Sequence, residues 1–238
     1  MAPLKILIIN PNTNHSMTDA LRAPIDSLNY NNTTYTYHTS PHGPSSINTP
    51  HDAFLSTNAT LPSLLPLLPH HDAFLIACYS PHPLIPALKQ KTKNPVIGIF
   101  EASVWAAVQL LREEEEEVFG IVSTGDIWKE VLGSAVREDI LGDDKAKRVF
   151  GGVECCGLDA GDLHGGGEVD VEGRVKEAAR RLVDRTGREG RVGVVVLGCA
   201  GMVGMEEWVR EVVGGEVRIV DGVRAGVGVL QGLWRMGG

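Results

Sequence analysis

The chain has 238 residues, 43% of them apolar and 22% charged, and a formal net charge of -8. That length allows one large domain or two small ones with a real core, and the composition is that of a globular protein. An acidic chain without a basic stripe is a poor match for a phosphate backbone, and apolar runs such as Val192 to Leu197 are strand-sized, so neither a nucleic-acid nor a membrane partner is expected.

Met1-Ala2-Pro3-Leu4-Lys5 leads straight into an apolar run with no leader pattern, which predicts a cytoplasmic protein. Asn31-Asn32-Thr33 and Asn58-Ala59-Thr60 resemble glycosylation acceptors that stay silent in that setting. Short apolar runs predict strands at 4–9, 34–38, 73–77, 96–99, 118–122, 149–154, 192–197 and 217–221. Helical patterns fall between them at 16–28, 51–65, 84–92, 102–115, 128–140, 168–185, 205–213 and 222–235, with prolines 62, 66 and 69 making the second ragged. Alternation of this kind predicts an α/β fold with parallel sheets.

The pattern repeats loosely. Ile6 to Asn10 opens into Pro11-Asn12-Thr13-Asn14, and Val118 to Val122 opens into Ser123-Thr124-Gly125-Asp126. Later in each half a strand ends in cysteine, Cys78 in the first and Cys199 in the second. The separation from Asn10 to Cys78 is 68 residues and that from Ser123 to Cys199 is 76. Two related lobes are one reading, and chance similarity within a single α/β sheet is the other. On the first, residues 1–100 form one lobe, with 218–238 returning to it, and 101–217 form the second.

Ligands of open parallel sheets bind beyond the carboxyl ends of the strands. Cys78 and Cys199 both sit at such ends, each before a turn whose N–H groups and helix dipole are expected to lower a thiol pKa from about 8.5. A thiolate can then take a proton from an acidic carbon while an opposing thiol supplies one. Either cysteine alone reads as a small buried hydrophobe; the matched pair points to chemistry. Four cysteines in a chain without a leader do not make a disulfide framework, and adjacent Cys155 and Cys156 read as structural. Asn10 and Asn12, Ser45 and Ser46, and Ser123 and Thr124 lie on loops that could bind polar groups, though each also reads as an ordinary turn or cap.

Other features are plain. Glu113 to Glu117 reads as a solvated, frayed helix end. His82 reads as surface or capping, Gly165-Gly166-Gly167 as a flexible loop, and no His, Asp or Glu spacing matches a metal motif, so no metal or cofactor is expected.

Motifs along nearly the whole chain resemble the hydantoin and allantoin racemases of the aspartate/glutamate racemase superfamily. They are Ile8-Ile9-Asn10-Pro11-Asn12-Thr13, Gly43-Pro44-Ser45-Ser46-Ile47, Asp72 to Cys78, Pro95 to Ala102, Phe119 to Thr124, Leu197-Gly198-Cys199-Ala200-Gly201-Met202 and Val220-Asp221-Gly222-Val223. The resemblance implies two pseudo-symmetric α/β lobes with the active site in the cleft between them, catalysis by Cys78 and Cys199 without cofactor, and a homo-oligomer. It implies that Asn10, Asn12, Ser45, Ser46, Tyr79, Ser80, Ser123, Thr124, Ala200 and Gly201 line a small-molecule substrate, a 5-substituted hydantoin such as allantoin. One departure stands out: the family often has Gly-Asp-Pro after the first cysteine, where this chain has Tyr79-Ser80-Pro81-His82-Pro83. Alternative readings are a maleate-isomerase-like or decarboxylase-like enzyme of the same superfamily, or a small-molecule binding protein without turnover.

Overall fold

A computed structural model describes residues 3–164, 169–186 and 191–237; the glycine run at 165–167 lies outside them. In chain order the elements are β1 (Leu4–Asn10), α1 (His15–Ala20), α2 (Arg22–Asp26), β2 (Thr33–Thr39), α3 (Pro50–Leu64), β3 (Ala73–Ile76), α4 (Leu84–Lys89), β4 (Val96–Gly98), α5 (Ile99–Leu110), β5 (Glu117–Ser123), α6 (Ile127–Ala135), α7 (Asp143–Val149), β6 (Phe150–Cys155), α8 (Val171–Thr186), β7 (Arg191–Gly198), α9 (Glu206–Val213), β8 (Arg218–Asp221) and α10 (Gly222–Gly237). The chain divides into two units, Met1–Ala102 with Val223–Gly238, and Ser103–Gly222. Each holds a four-stranded, all-parallel sheet. The orders are β2-β1-β3-β4 and β6-β5-β7-β8, the same topology twice.

In the first unit the central strands are buried on both faces, which is why they read as unbroken apolar runs. Leu7, Ile9, Phe74 and Ile76 pack with Leu64 of α3 and with Leu84, Ile85 and Leu88 of α4. Burial of such side chains contributes roughly 1.5–3 kcal/mol each. The alternate residue Leu75 meets α10, where a Cβ on Gly226 would lie 2.5 Å from Leu75 Cδ1, so glycine there permits the close approach of helix to strand. Val223, Val227 and Leu230 form the buried stripe of α10 at helical spacing. A capping box between Thr49 and Asp52 starts α3. Pro62 sits inside α3, which gives way after Leu64 to a 3-10 turn over Leu65–His70.

In the second unit Val175, Ala178, Ala179 and Leu182 of α8 pack on Val118, Val122, Val192 and Val195 of the sheet, with Val209 of α9. Glu117 begins β5 with its carboxylate fully buried. It accepts hydrogen bonds from Arg218 of β8 and from the backbone N–H of Arg112 at 2.9 Å. The acidic run is therefore not uniformly solvated: Glu114, Glu115 and Glu116 are exposed, whereas Glu117 is a buried anchor.

The helix expected at 16–28 is divided at Leu21. The one expected at 102–115 starts earlier, at Ile99, and ends at Leu110. The pattern at 128–140 ends in a π-helical turn over Val136–Leu141, and α7 follows it unforeseen, because only Ala146 of its seven residues is buried.

Candidate functional site

In the first unit, β1 ends at Asn10 and β3 ends two residues before Cys78; Ala77 N–H donates to Ile9 O at 2.8 Å, so the two ends lie side by side. Asn10 directs its amide nitrogen into its own loop. Its Nδ2 donates to Asn12 Oδ1 at 2.9 Å, Asn14 O at 3.0 Å and Thr18 Oγ1 at 2.9 Å. Asn12 Oδ1 also accepts from Asn14 N–H at 2.9 Å, and its Nδ2 faces Met17 Sδ at 3.5 Å. Both asparagines are buried and brace the loop above β1. Thr13 N–H donates to Pro44 O at 3.0 Å and so ties the Gly43–Ser46 turn to that loop. Ser45 there is exposed, while Ser46 Oγ donates to Asn48 Oδ1 at 3.0 Å.

Cys78 is a half-buried free thiol. Its Sγ lies 3.4 Å from Ser80 Oγ, and no backbone N–H of the following turn is bonded to it. The expected lowering of this thiol's pKa is corrected by the structure. Burial pushes it up to about 11, with the charge of Glu101 adding to the rise and the Ser80 hydroxyl opposing it. Tyr79 turns inward, its ring edge-on to Phe100 with centroids 5.2 Å apart, and Ser80 is buried beneath it. His82 is not on the surface. It is 1% exposed, its Nδ1 accepts the Leu84 N–H at 3.2 Å at the start of α4, and burial lowers its pKa to about 4. The neutral ring therefore carries its proton on Nε2, a buried donor without an acceptor.

In the second unit, β5 ends at Ser123 and β7 at Gly198, paired in register. Ser123 Oγ donates to Gly198 O at 2.8 Å. A Cβ on Gly198 would fall 2.7 Å from Val122 O, so only glycine lets β7 run this close to β5 immediately before Cys199. Cys199 starts a 3-10 turn over Ala200–Met202, and the Gly201 N–H points at its Sγ from 3.4 Å. Thr124, Ala200 and Gly201 are buried around this strand end. Each unit thus gathers its own expected residues: Asn10, Asn12, Cys78, Tyr79 and Ser80 in one, Ser123, Thr124, Cys199, Ala200 and Gly201 in the other.

Cys155 and Cys156 are buried free thiols; Cys155 pairs in register with Ser123, and the Cys156 N–H donates to Ser123 O at 2.9 Å. Burial, with Asp126 next, pushes Cys155 up to about 12, and burial also raises Cys156. Among the described residues no group of three or more His, Cys, Asp or Glu could hold a metal ion, and no helix is long and apolar enough to cross a membrane. Glu101 had drawn no role from its sequence position. It lies in the first turn of α5, and its Oε2 is buried without a hydrogen-bond partner. An acidic residue directly after the Val96–Gly98 strand, on an otherwise apolar helix start, was the available signal.

Residues 6–230 match the family model described as Asp/Glu/Hydantoin racemase. An uncharacterized protein of Schizosaccharomyces pombe is 31% identical over 98% of this chain and 93% of its own length. A hydantoin racemase of a Pseudomonas species is 28% identical over 94% of this chain and 83% of its own. Among solved structures, allantoin racemase from Pseudomonas fluorescens superposes with a TM-score of 0.82 at 24% identity, covering 98% of this chain and 92% of that one.

Proposed function

Because this chain belongs to the Asp/Glu/hydantoin racemase family and is an isomerase of the racemase kind, we propose that it racemises a 5-substituted hydantoin such as allantoin, with Cys78 and Cys199 as its acid and base. The observation that carries the pairing is positional. Each cysteine follows the third strand of its unit, in sheets of identical order.

The C5–H bond of a hydantoin is acidified by the adjacent carbonyl. A thiolate removes the proton, and the electron pair moves into that carbonyl as an enolate. A thiol on the opposite face then gives its proton to C5, and the ring leaves inverted. Each turnover exchanges which sulfur is protonated, so no external acid, base or cofactor is consumed. Ser80 and the Gly201 N–H assist by hydrogen bonding to sulfur. Asn10 and Asn12 act as the braces of the first loop, and Ser123 and Thr124 support the strand end from which Cys199 projects. The substrate names come from the relatives, a hydantoin racemase and an allantoin racemase. A cytoplasmic homo-oligomer is part of the same proposal, tested by fractionation and light scattering. Incubating single enantiomers of allantoin and substituted hydantoins in D2O tests the activity: loss of optical rotation with deuterium entering C5 is expected, and no exchange on any of them would reject it.

A further inference from the structure

The two strand-end thiols have different surroundings. Cys199 receives a backbone N–H, from Gly201 at 3.4 Å, which favours the charged sulfur. Among the described residues Cys78 has the Ser80 hydroxyl at 3.4 Å, and near it stands a carboxyl group.

That carboxyl belongs to Glu101. A Cβ on Gly98 would lie 2.3 Å from Glu101 Oε2 and 2.6 Å from Ile85 Cδ1, so the carboxyl is folded back over the end of β4. Gly98 is in register with Ile76, and Cys78 lies two residues beyond Ile76. The carboxyl is therefore wedged beside the strand end that carries the thiol. Oε2 reaches no solvent and has no hydrogen-bond donor. This oxygen is held against its neighbours, while the residue as a whole is partly exposed. Among the described residues, the charge of Lys89 of α4 and the backbone N–H of Glu101 itself at the start of α5 partly stabilise the carboxylate, and its charge in turn acts on the Cys78 thiol. His82, in the loop between Cys78 and α4, stays neutral and supplies no compensating charge.

Resting on the reading of the two thiols as the catalytic pair, we propose that Glu101 is a positioning residue that holds Cys78 in its thiol form, so that the resting enzyme carries Cys199 as the base and Cys78 as the acid. The physical cause is burial first, which disfavours the charged sulfur, with the like charge of Glu101 adding to the rise. A carboxyl group ionises well before a thiol held at about 11, and the thiolate of Cys78 would then form against a negative neighbour. Burial raises the pKa of Glu101 as well, with its backbone N–H and Lys89 acting the other way.

Two enantiomers are equally stable, so kcat/KM must be equal in both directions and cannot reveal this asymmetry. The reactivity of the thiols can. Substrate-free enzyme is alkylated with iodoacetamide across a pH series, and the Cys78 and Cys199 peptides are quantified separately by mass spectrometry in wild type, Glu101→Gln and Glu101→Asp. In wild type Cys199 should react at lower pH than Cys78. Glu101→Gln should move the Cys78 profile to lower pH while Cys199 stays in place, and Glu101→Asp should move it part of the way back toward wild type. An unmoved Cys78 profile in Glu101→Gln, or a Cys78 that reacts at lower pH than Cys199 in wild type, overturns the proposal. Should the Gln variant not fold, a Glu101→Asp profile identical to wild type, or the reversed wild-type order, still overturns it. The assay uses no substrate, so its failure is distinct from a failure to racemise hydantoins.

Discussion

The backbone N–H of Gly201 points at Cys199 Sγ from 3.4 Å, and among the described residues no such N–H reaches Cys78. The two proposed catalytic sulfurs are therefore equivalent in topology and unequal in electrostatics.

The inequality has a pH signature. The base must be a thiolate, so activity rises as Cys199 ionises. The acid must keep its proton, and Cys78 loses its own only around 11. For either enantiomer, kcat/KM against pH should climb through the alkaline range and fall only near 11. A descending limb at neutral pH would contradict this.

Gly198 fixes where Cys199 stands. A methyl group there meets Val122 O at 2.7 Å and Ile121 Cγ2 at 2.7 Å, and a backbone oxygen cannot swing aside. Gly198→Ala should separate β7 from β5 at the thiol and lower kcat about tenfold or more. Retention of full kcat in a folded variant would show that the placement of Cys199 tolerates the shift.

Glu117 and Arg218 join β5 to β8. Burial alone would raise the Glu117 pKa, but the Arg112 N–H and the Arg218 guanidinium together bring it below the usual range. Its contribution to stability is thus present above the unfolded-state carboxylate pKa and is lost as pH falls through the folded one. Arg218→Ala leaves the carboxylate buried without its guanidinium partner, and should cost about 3 kcal/mol in urea unfolding at neutral pH. A change under about 0.5 kcal/mol would assign the pair no weight.

His82 gives a second acid-side dependence. Its folded pKa of about 4 lies below the unfolded value of about 6.5, so unfolding takes up a proton and stability falls as pH drops from about 6.5 toward 4. His82→Gln should flatten the stability curve in that window by up to about 1.4 kcal/mol per pH unit. An unchanged slope would mean that the ring is not buried neutral.

The strands were the most legible part of the sequence. Runs such as Ile6 to Ile9 and Val192 to Leu197 are buried on both faces and leave a continuous apolar signature. α7 was not legible, because Asp143 to Val149 is charged almost throughout. The two thiols could be seen from their places at strand ends. The state of Cys78 could not, since it depends first on burial and then on the charge of Glu101, 23 residues away, brought close by the register of β3 with β4. Nor could the bracing role of Asn10, because an amide in a loop looks the same whether its hydrogen bonds go to Asn12, Asn14 and Thr18 or to a ligand.

The pairing of Cys78 with Cys199 is tested most directly by following one enantiomer of allantoin or a substituted hydantoin in D2O with wild type, Cys78→Ser and Cys199→Ser. Wild type should lose optical rotation while one deuterium enters C5, and each variant should lose racemisation. Full racemisation by either variant would contradict the two-thiol mechanism.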